Sequence, residues 1–464
     1  MSNLIKRLGF SIDLDRKELF KILLLAFTFF CVIGAYTVIK EMKDILFLRI
    51  TGEGCVPLAK TCSMFLLIPL TLLYSYIIDM FGRFKTLFIY SLVYGITGLV
   101  ISWFLMQSDI GLVNTVPSQD RLLGWFIYLF YEGTVPFVVS VFWAFANSVT
   151  SPDTARKGYT ILIAGSKLGG MFTAGLAWFM MSPHGMVSRS GISDIGVIQF
   201  LLASSSLLLC FAPLLILFLL KTGSEQSLHG YEAAYKAEKE REESGANQTG
   251  IFSGLTMLGK QPYILAIFAI TLFYEIINVV LSYQRLLIVN AGADSLADFT
   301  SEMFKQRFYM HALGFVISFF GTRVLVKKLG ERACLLLMPL IVGVLLIYFV
   351  VAYNDQAVLV VFMALGMLNY AFSSPLREAL YIPTVTDIKY KSKAWIDSFG
   401  TKISKFGGSL FNKFAYSFAV PGTMAFSLIY TGFFATTIVL WTAVAAWLGY
   451  RYTKAIKNNE VIGL

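Results

Sequence analysis

Apolar runs of about 20 residues recur along almost the whole of the 464-residue chain. Each run is long enough to cross the ~30 Å hydrocarbon layer of a bilayer as a helix. Backbone polar groups in lipid must be satisfied within their own segment, so these runs are predicted to be helices and not strands. We place twelve spans at about residues 19–39, 57–78, 86–106, 122–148, 157–181, 197–220, 262–289, 304–326, 333–353, 357–384, 394–418 and 423–450.

The distribution of basic residues predicts the orientation of these spans. With the N-terminus in the cytoplasm, the inner segments carry about three times as many Lys and Arg residues as the outer segments. We therefore expect both termini to be cytoplasmic and the first span to be an uncleaved anchor. Four basic residues break this rule, because they cluster after the first span on the outer side: Lys40, Lys43, Arg49 and Lys60.

The sequence repeats itself over two halves, which the long polar segment at 221–260 separates into six spans and six. SKLGG at 166–170, in the fifth span, returns as SKFGG at 404–408, in the eleventh. The turn DMFGRFK at 79–85, after the second span, corresponds to KKLGERA at 327–333, after the eighth. Such a repeat indicates two bundles related by a pseudo-twofold axis, with a binding site between them near the middle of the membrane.

The predicted fold is an all-α polytopic membrane protein of the major facilitator type, with twelve transmembrane helices in two pseudo-symmetric six-helix bundles. We place the N-terminal bundle at residues 1–220, a charged cytoplasmic linker at 221–260 and the C-terminal bundle at 261–464.

Lysines inside or beside the spans are the first candidate site residues. A charge at the bilayer centre costs from ~2.5 kcal/mol upward, so each buried lysine needs polar partners or water. Opposing ammonium groups from spans 1, 5 and 11 would form a cage for an anion, above all a polyphosphate, because lysine is a common phosphate ligand. The predicted phosphate-binding residues are Lys40, Lys43, Lys167, Lys402 and Lys405.

Another interpretation of the fifth span concerns its glycines. Gly165 and Gly169 have the GxxxG spacing of a helix-packing face, and Lys167 between them could pair with a carboxylate or extend its side chain toward the membrane surface. We expect the glycines to pack against a neighbouring helix in either case.

Carboxylates within or beside the spans balance these lysines. The predicted charge partners or proton-coupling groups are Glu132, Glu275, Asp397 and Asp44. Asn278 lies one helical turn after Glu275, and Arg377 belongs to the tenth span, so both are predicted to line the substrate cavity. Each carboxylate could hold a lysine until an anionic substrate arrives, or carry a proton.

No motif indicates catalysis. GLTMLGKQ at 254–261 is close to a P-loop, but Gln261 replaces the required Ser or Thr. We expect no enzyme, no metal and no cofactor. The formal charge of +10 is largely explained by the basic inner loops, so we expect no nucleic-acid partner. The expected partners are the lipid bilayer and a transported anion, and we expect the chain to function as a monomer.

These features predict an alternating-access transporter of an anion, above all a polyphosphate. One alternative is a major facilitator symporter of another organic anion, such as a sugar phosphate, an NAD-like cofactor or another acidic solute. A second alternative is a polytopic lipid-handling enzyme or scaffold, which would need a His/Asp motif at a membrane surface that the sequence does not contain.

Three segments resemble the nucleotide transporter (ATP/ADP translocase) family of obligate intracellular bacteria and plastids. They are KEMKD at 40–44, FWAFANSVTSPDTARKGY at 142–159 and REALYIPTVTDIKYKSKAWIDSFGTKISKFGGSL at 377–410. The resemblance implies a major-facilitator-like, alternating-access carrier of nucleotides in a bacterial inner membrane, which works by ATP/ADP exchange or by proton-coupled import of nucleoside triphosphates.

The resemblance also implies roles for individual residues. Lys43, Lys402 and Lys405 fall on positions that meet the substrate phosphates in that family, with Lys402 in place of an Arg. Glu132 and Glu275 correspond to functional glutamates of the fourth and seventh helices. The family's Glu-Leu-Trp pattern in the fourth helix is Glu132-Gly133-Thr134 here.

Overall fold

The computed structural model describes residues 15–150, 152–183, 185, 191–222, 259–320, 322–352, 354–369 and 400–458, with short pieces at 373, 376–377, 380–381, 383–384, 396, 460 and 462. These residues are almost entirely helical, as the sequence predicts. Half of the segment at 377–410 that carries the strongest resemblance lies outside them, including Asp397 and Glu378.

Six helices form the N-terminal part of the described chain. A short 3₁₀ turn at Glu53–Cys55 connects the first two, and a π-helical turn at Val135–Val139 connects the third and fourth. The helices are α1 (Arg16–Thr51), α2 (Val56–Phe104), α3 (Leu122–Glu132), α4 (Ser140–Ser148), α5 (Pro152–Met181) and α6 (Asp194–Thr222).

Six further helices follow in the C-terminal part: α7 (Pro262–Ala291), α8 (Leu296–Phe320), α9 (Thr322–Ala352), α10 (Asp355–Leu368), α11 (Thr401–Phe418) and α12 (Met424–Lys457).

Within the described residues, eight helical segments are long and apolar enough to cross a membrane. They are Arg16–Thr51, Phe84–Phe104, Leu122–Trp143, Ile161–Met181, Asp194–Thr222, Pro262–Ala291, Leu329–Ala352 and Met424–Lys457. This set is consistent with a polytopic membrane protein. The count of twelve spans stays a prediction.

Of the two predicted turns at 79–85 and 327–333, the first is absent from the structure and the second is present as a kink. The chain is helical from Val56 to Phe104, so the segment at 79–85 is helix and not a turn. Its only strong helix-weakening residue is Gly82, which costs about 1 kcal/mol relative to alanine, a penalty that a helix can tolerate. In α9 the predicted turn at 327–333 is present as a kink, because Gly330 takes a φ of 78° that other residues rarely adopt.

The chain divides into two compact units. The first contains Met1–Leu46, Leu67–Val116 and Arg121–Gln248. The second contains Phe47–Leu66, Pro117–Asp120 and Thr249–Leu464. The predicted boundaries at 220 and 261 stay a prediction.

The last turn of α1 packs within the second unit. The Arg49 guanidinium lies 5.2 Å from the centre of the Phe299 ring on α8. The Tyr283 hydroxyl of α7 donates to the backbone carbonyl of Glu53, over 3.4 Å. These contacts explain why Phe47–Leu66 belongs with the helices of the C-terminal half.

In the first unit, α5 packs closely against α1 along its glycines. A Cβ added to Gly165 would lie 2.6 Å from the carbonyl oxygen of Ala26, and one added to Gly169 would collide with that of Phe30. One turn later, the Thr173 hydroxyl donates to the Gly34 carbonyl over 2.9 Å. The predicted packing role of the GxxxG glycines is therefore confirmed.

The second unit contains the corresponding contact between α11 and α7. A Cβ on Gly408 would lie 2.9 Å from Val279 and 3.2 Å from the carbonyl oxygen of Ile276. The Ser404 hydroxyl lies 3.4 Å from the carbonyl of Leu272. The repeated SKxGG segment thus supplies a close helix contact in each unit.

Replacing Gly169 by alanine tests this contact. Gly169→Ala should destabilise the protein by roughly 1–3 kcal/mol, because a backbone atom of α1 must move to accommodate the added carbon. Gly432→Ala in α12 is the matched control, since nothing lies within 4 Å of its added carbon. It should be neutral or stabilise by up to about 1 kcal/mol. Apparent melting temperatures in detergent measure both effects, and equal shifts would contradict the packing role of Gly169.

Candidate functional site

A buried ion pair in the first unit joins two of the predicted site residues. The Nζ atom of Lys43, on α1, lies 2.6 Å from Oε2 of Glu132, at the end of α3. It also lies 3.3 Å from Oδ1 of the adjacent Asp44. Lys43 and Glu132 are only 7% and 8% exposed. The structure therefore brings Lys43 and Asp44 together with Glu132, which lies 89 positions after Lys43 in the sequence.

Local features of α3 hold Glu132 in place. Tyr128 lies one turn earlier on the same face, and its ring centre is 4.2 Å from the Lys43 ammonium. After Glu132 comes Gly133, where an added Cβ would meet the Tyr94 hydroxyl and Phe137. A π-helical turn then begins at Val135, and such turns inside helices are frequent at functional sites.

The arrangement around Lys43 stabilises its charged form. A 2.6 Å contact between an ammonium and a carboxylate is a strong, charge-assisted hydrogen bond. The face of the Tyr128 ring adds a cation–π contact, which is stronger when it is shielded from water. A buried pair of this kind is costly to break from one side, because the remaining charge has lost its partner in a low-dielectric environment.

Two other predicted lysines belong to the same unit. Lys40 precedes Lys43 by one turn, and its Nζ lies 5.8 Å from the centre of the Tyr36 ring. Lys167 is 7% exposed and lies in the middle of α5, on the helix whose glycines pack on α1. The structure thus buries Lys167, as predicted.

The predicted residues of the second unit that the structure describes lie on α7 and α11, and Arg377 lies in the short described piece at 376–377 after α10. Asn278 Nδ2 donates to Glu275 Oε2 over 3.4 Å, one turn apart on α7. Arg377 Nη1 lies 3.5 Å from the Thr271 hydroxyl, at the limit of a hydrogen bond. Lys402 and Lys405 are half-buried in the first turns of the described α11.

Glu275 and Lys405 face the same side of the contact between α7 and α11. The two helices run parallel, since Ser404 lies near Leu272 and Gly408 near Ile276. At 3.6 residues per turn, Glu275 is rotated about 80° from the contact line on α7, and Lys405 is rotated by the same angle in the opposite sense on α11. Opposite rotations on helices that face each other bring both side chains to one side.

Sequence reasoning missed several residues of these sites. Tyr128 is one of many aromatic residues, and only its position one turn before Glu132 could have indicated a role. A buried polar chain in the second unit was also missed: Gln284 donates to the Tyr430 hydroxyl, which donates to Asn412 Oδ1 over 3.0 Å. The Tyr416 hydroxyl donates to Gln284 Oε1 over 3.2 Å. These contacts tie α7, α11 and α12 together.

Comparison with known proteins identifies similar chains. A model of the TLC ATP/ADP transporter family matches residues 125–452, well over half of the chain. The chain is 27% identical to ADP,ATP carrier protein 2, chloroplastic, of Arabidopsis thaliana, over 95% of this chain and 76% of that protein. It is 22% identical to ADP,ATP carrier protein 1 of Chlamydia pneumoniae, over 85% and 84%. It is 20% identical to ADP,ATP carrier protein 3 of Rickettsia prowazekii (strain Madrid E), over 90% and 91%.

Solved structures show the fold. A D-xylose–proton symporter matches with a TM-score of 0.59 and 17% identity, over 94% of this chain and 97% of that one. A bacterial homologue of the iron transporter ferroportin, in an inward-facing state, matches with a TM-score of 0.61 and 13% identity, over 93% and 99%. The chain therefore has the fold of the major facilitator transporters, as the repeat in its sequence predicts.

Removing each partner of the buried ion pair in turn tests its strength. Lys43→Met and Glu132→Leu should each destabilise the protein by about 3–5 kcal/mol, because each leaves a buried charge without its main partner. The double variant should lose less than the sum of the two, since it buries neither charge. Apparent melting temperatures of the four proteins measure this coupling.

The half-exposed pair of Lys305 and Glu302 on α8, 3.0 Å apart, provides the control. The corresponding cycle of Lys305→Met and Glu302→Leu should show a coupling below about 1 kcal/mol. Additive effects at Lys43 and Glu132 would show that the two charges do not depend on each other.

Proposed function

Because the chain belongs to the TLC ATP/ADP transporter family, we propose that it is an alternating-access membrane carrier that exchanges ATP for ADP. The buried pair of Lys43 and Glu132 is the observation that supports this most directly, since it holds an ammonium group ready for an anion. The names of the chloroplast, chlamydial and rickettsial relatives specify ADP and ATP. A nucleotide is therefore favoured over the alternative of another organic anion.

The proposed binding step replaces an internal carboxylate by a phosphate. The Lys43 ammonium has three N–H donors and a compact charge, which suit a phosphate oxygen as well as they suit Glu132. A polyphosphate brings several negative charges, so it can also contact Lys40, one turn before Lys43. Lys167 on α5 is a further proposed phosphate contact of the same unit. Binding then costs little desolvation, because Lys43 is already withdrawn from water by its own unit.

In the second unit, Lys402 and Lys405 are the proposed phosphate contacts. Glu275 faces the same side as Lys405 and is the proposed carboxylate partner, with Asn278 holding it from one turn away. We further propose that Arg377 lines the cavity and that Asp397 balances the lysines of α11.

Exchange of one nucleotide for another follows if the binding site reorients slowly while it is empty. When the nucleotide leaves, each lysine must return to its carboxylate before the binding site can reorient. If that return is slow compared with rebinding, the carrier changes state mainly when loaded, and one nucleotide leaves for each that enters. Glu132 could instead take up a proton when it is released from Lys43, which would couple import to a proton gradient.

We also propose a cellular setting. The chain would be a multi-pass protein of a bacterial inner membrane, with both termini in the cytoplasm, where the basic segments are concentrated. It would act as a monomeric carrier and not as an enzyme.

Uptake of labelled ATP by proteoliposomes tests the function. Preloading the vesicles with ADP should stimulate uptake at least tenfold over empty vesicles, and an uncoupler should leave uptake unchanged. Unlabelled ATP and ADP should compete, and a sugar phosphate should not. Uptake that collapses with the uncoupler would favour proton symport. Absence of uptake and of competition, with folded protein in the membrane, would refute a nucleotide substrate.

Lys405→Ala tests the phosphate contacts on α11. We expect at least a tenfold loss of ATP uptake, because a charged hydrogen bond to the substrate contributes about 1.5–3 kcal/mol. Lys413→Ala is the matched control, since Lys413 is an exposed lysine two turns later on the same helix. Equal uptake by the two variants would remove Lys405 from the site.

A further inference from the structure

Two polar side chains of α11 are buried while one polar atom of each makes no hydrogen bond. Ser409 and Asn412 are both 1% exposed. Among the described residues, neither Ser409 Oγ nor Asn412 Nδ2 has a hydrogen-bond partner. An unsatisfied polar group in the interior destabilises a folded protein, so such groups are rare. Each one calls for an explanation in the function or the hydration of its site.

A directed chain of hydrogen bonds orients the Asn412 amide. The Tyr416 hydroxyl donates to Gln284 Oε1 over 3.2 Å, and Gln284 Nε2 donates to the Tyr430 hydroxyl. That hydroxyl has a single hydrogen, which it donates to Asn412 Oδ1 over 3.0 Å. Because the Asn412 oxygen accepts this last bond, its Nδ2 points away from Tyr430. The chain therefore ends in an N–H group that is fixed in direction and can donate to an acceptor.

These two side chains share a face of α11 with the lysines that are proposed to bind phosphate. At 3.6 residues per turn, an arc of about 80° holds four side chains: Lys402, Lys405, Ser409 and Asn412. The rise of 1.5 Å per residue places Ser409 about 6 Å and Asn412 about 11 Å beyond Lys405 along the helix axis. The face thus changes from cationic to neutral within two turns.

A nucleotide presents its groups in the same order. Its phosphate chain is anionic, and the sugar that follows the phosphates carries neutral hydroxyl groups. A hydroxyl can accept a hydrogen bond from Asn412 Nδ2, and it can donate to Ser409 Oγ or accept from it. Neutral amide and hydroxyl partners suit such a group, whereas phosphate oxygens form their strongest hydrogen bonds with charged donors such as lysine.

We propose that Ser409 and Asn412 bind a ribose hydroxyl of the transported nucleotide while Lys402 and Lys405 hold its phosphates. This inference rests on the function proposed above. It makes Ser409 and Asn412 determinants of sugar specificity, because a sugar that lacks the hydroxyl leaves both buried groups unsatisfied. Tyr430 is a positioning residue, since it holds the Asn412 amide in its orientation.

Access to this face of α11 requires a movement of its neighbours. The ring of Phe406, three positions before Ser409, packs edge-on against the ring of Phe65 on α2, with the two centroids 6.4 Å apart. Spans 2 and 11 belong to different halves of the repeat, and alternating access moves the halves against each other. Separation of the two rings would open α11 beside Ser409, and the sugar would bind in that conformation.

Competition by nucleotides that lack one hydroxyl tests the proposal. Proteoliposomes take up labelled ATP in the presence of unlabelled ATP, 2′-deoxy-ATP or 3′-deoxy-ATP. With the wild-type protein, one deoxy analogue should compete at least tenfold more weakly than ATP, because two buried polar groups stay unpaired. Ser409→Ala should lower this ratio at least threefold by raising the apparent KM for ATP, and competition by the weaker analogue should stay unchanged.

The variants differ in what they remove from the structure. Ser409→Ala should fold normally, since the Ser409 hydroxyl bonds to none of the described residues. The matched control is Ser417→Ala, two turns later on α11, which removes an exposed hydroxyl that donates to the Lys413 carbonyl over 2.8 Å. It should keep the wild-type ratio. Asn412→Leu should lower the ratio as Ser409→Ala does, and if it does not fold, Ser409→Ala alone decides.

Two results would overturn the inference. One is a wild-type protein for which ATP and both deoxy analogues compete equally. The other is a folded Ser409→Ala protein that keeps the wild-type ratio, because Ser409 and Asn412 would then hold no more than a water molecule.

Thermal stabilisation of the purified protein separates this inference from the proposed function. ATP should raise the melting temperature of the wild-type protein more than the weaker analogue does, and the difference should shrink in Ser409→Ala. If the wild-type protein transports no ATP but shows this difference, the sugar site stands and the proposed transport is wrong. If it transports ATP and all three nucleotides stabilise it equally, only the inference is wrong. Absence of both transport and the difference would refute both.

Discussion

An ammonium group withdrawn from water needs a counter-charge, and this need organises the first unit. Lys43 is stable at its position because Glu132 and the Tyr128 ring reach it from α3. Those contacts require α1 and α3 to be adjacent, and Gly133 allows the chain to turn closely past Tyr94 after Glu132. The glycine contact between α5 and α1 fixes α1 along another part of its length, and Lys167 is buried on α5 in the same unit. Function and packing therefore depend on the same helix.

The internal repeat gives two versions of one local design. Each half places a cation over an aromatic ring, Lys43 over Tyr128 and Arg285 over Phe362. The first half also supplies an internal carboxylate, Glu132, beside its cation. The second half has Gly366 at the corresponding position, four residues after Phe362, and adds Arg307.

Much of the fold followed from the sequence, because a membrane permits few alternatives. Apolar length predicted helices, and the repeated SKxGG segment predicted both the two-part plan and the close glycine contacts. At the site, Lys43, Glu132 and Asp44 were expected to be functional, but their direct contact could not be derived. Residues 43 and 132 belong to different helices, and neighbouring helices can rotate without changing the hydrophobic pattern. The continuous α2 and the π-helical turn after Glu132 were unexpected for a similar reason, since local propensities there are weak.

The sequence by itself determined that this chain spans a membrane as two related sets of helices carrying buried lysines. Hydrophobic length and charge placement are properties of single segments, so they can be read without knowing which helices touch. Only the tertiary structure decided which carboxylate holds Lys43, that Tyr128 covers it, and that Arg285 and Arg307 share the ring of Phe362. Those pairings depend on the rotation of each helix about its axis, which glycine contacts and buried hydrogen bonds fix across long distances in the chain.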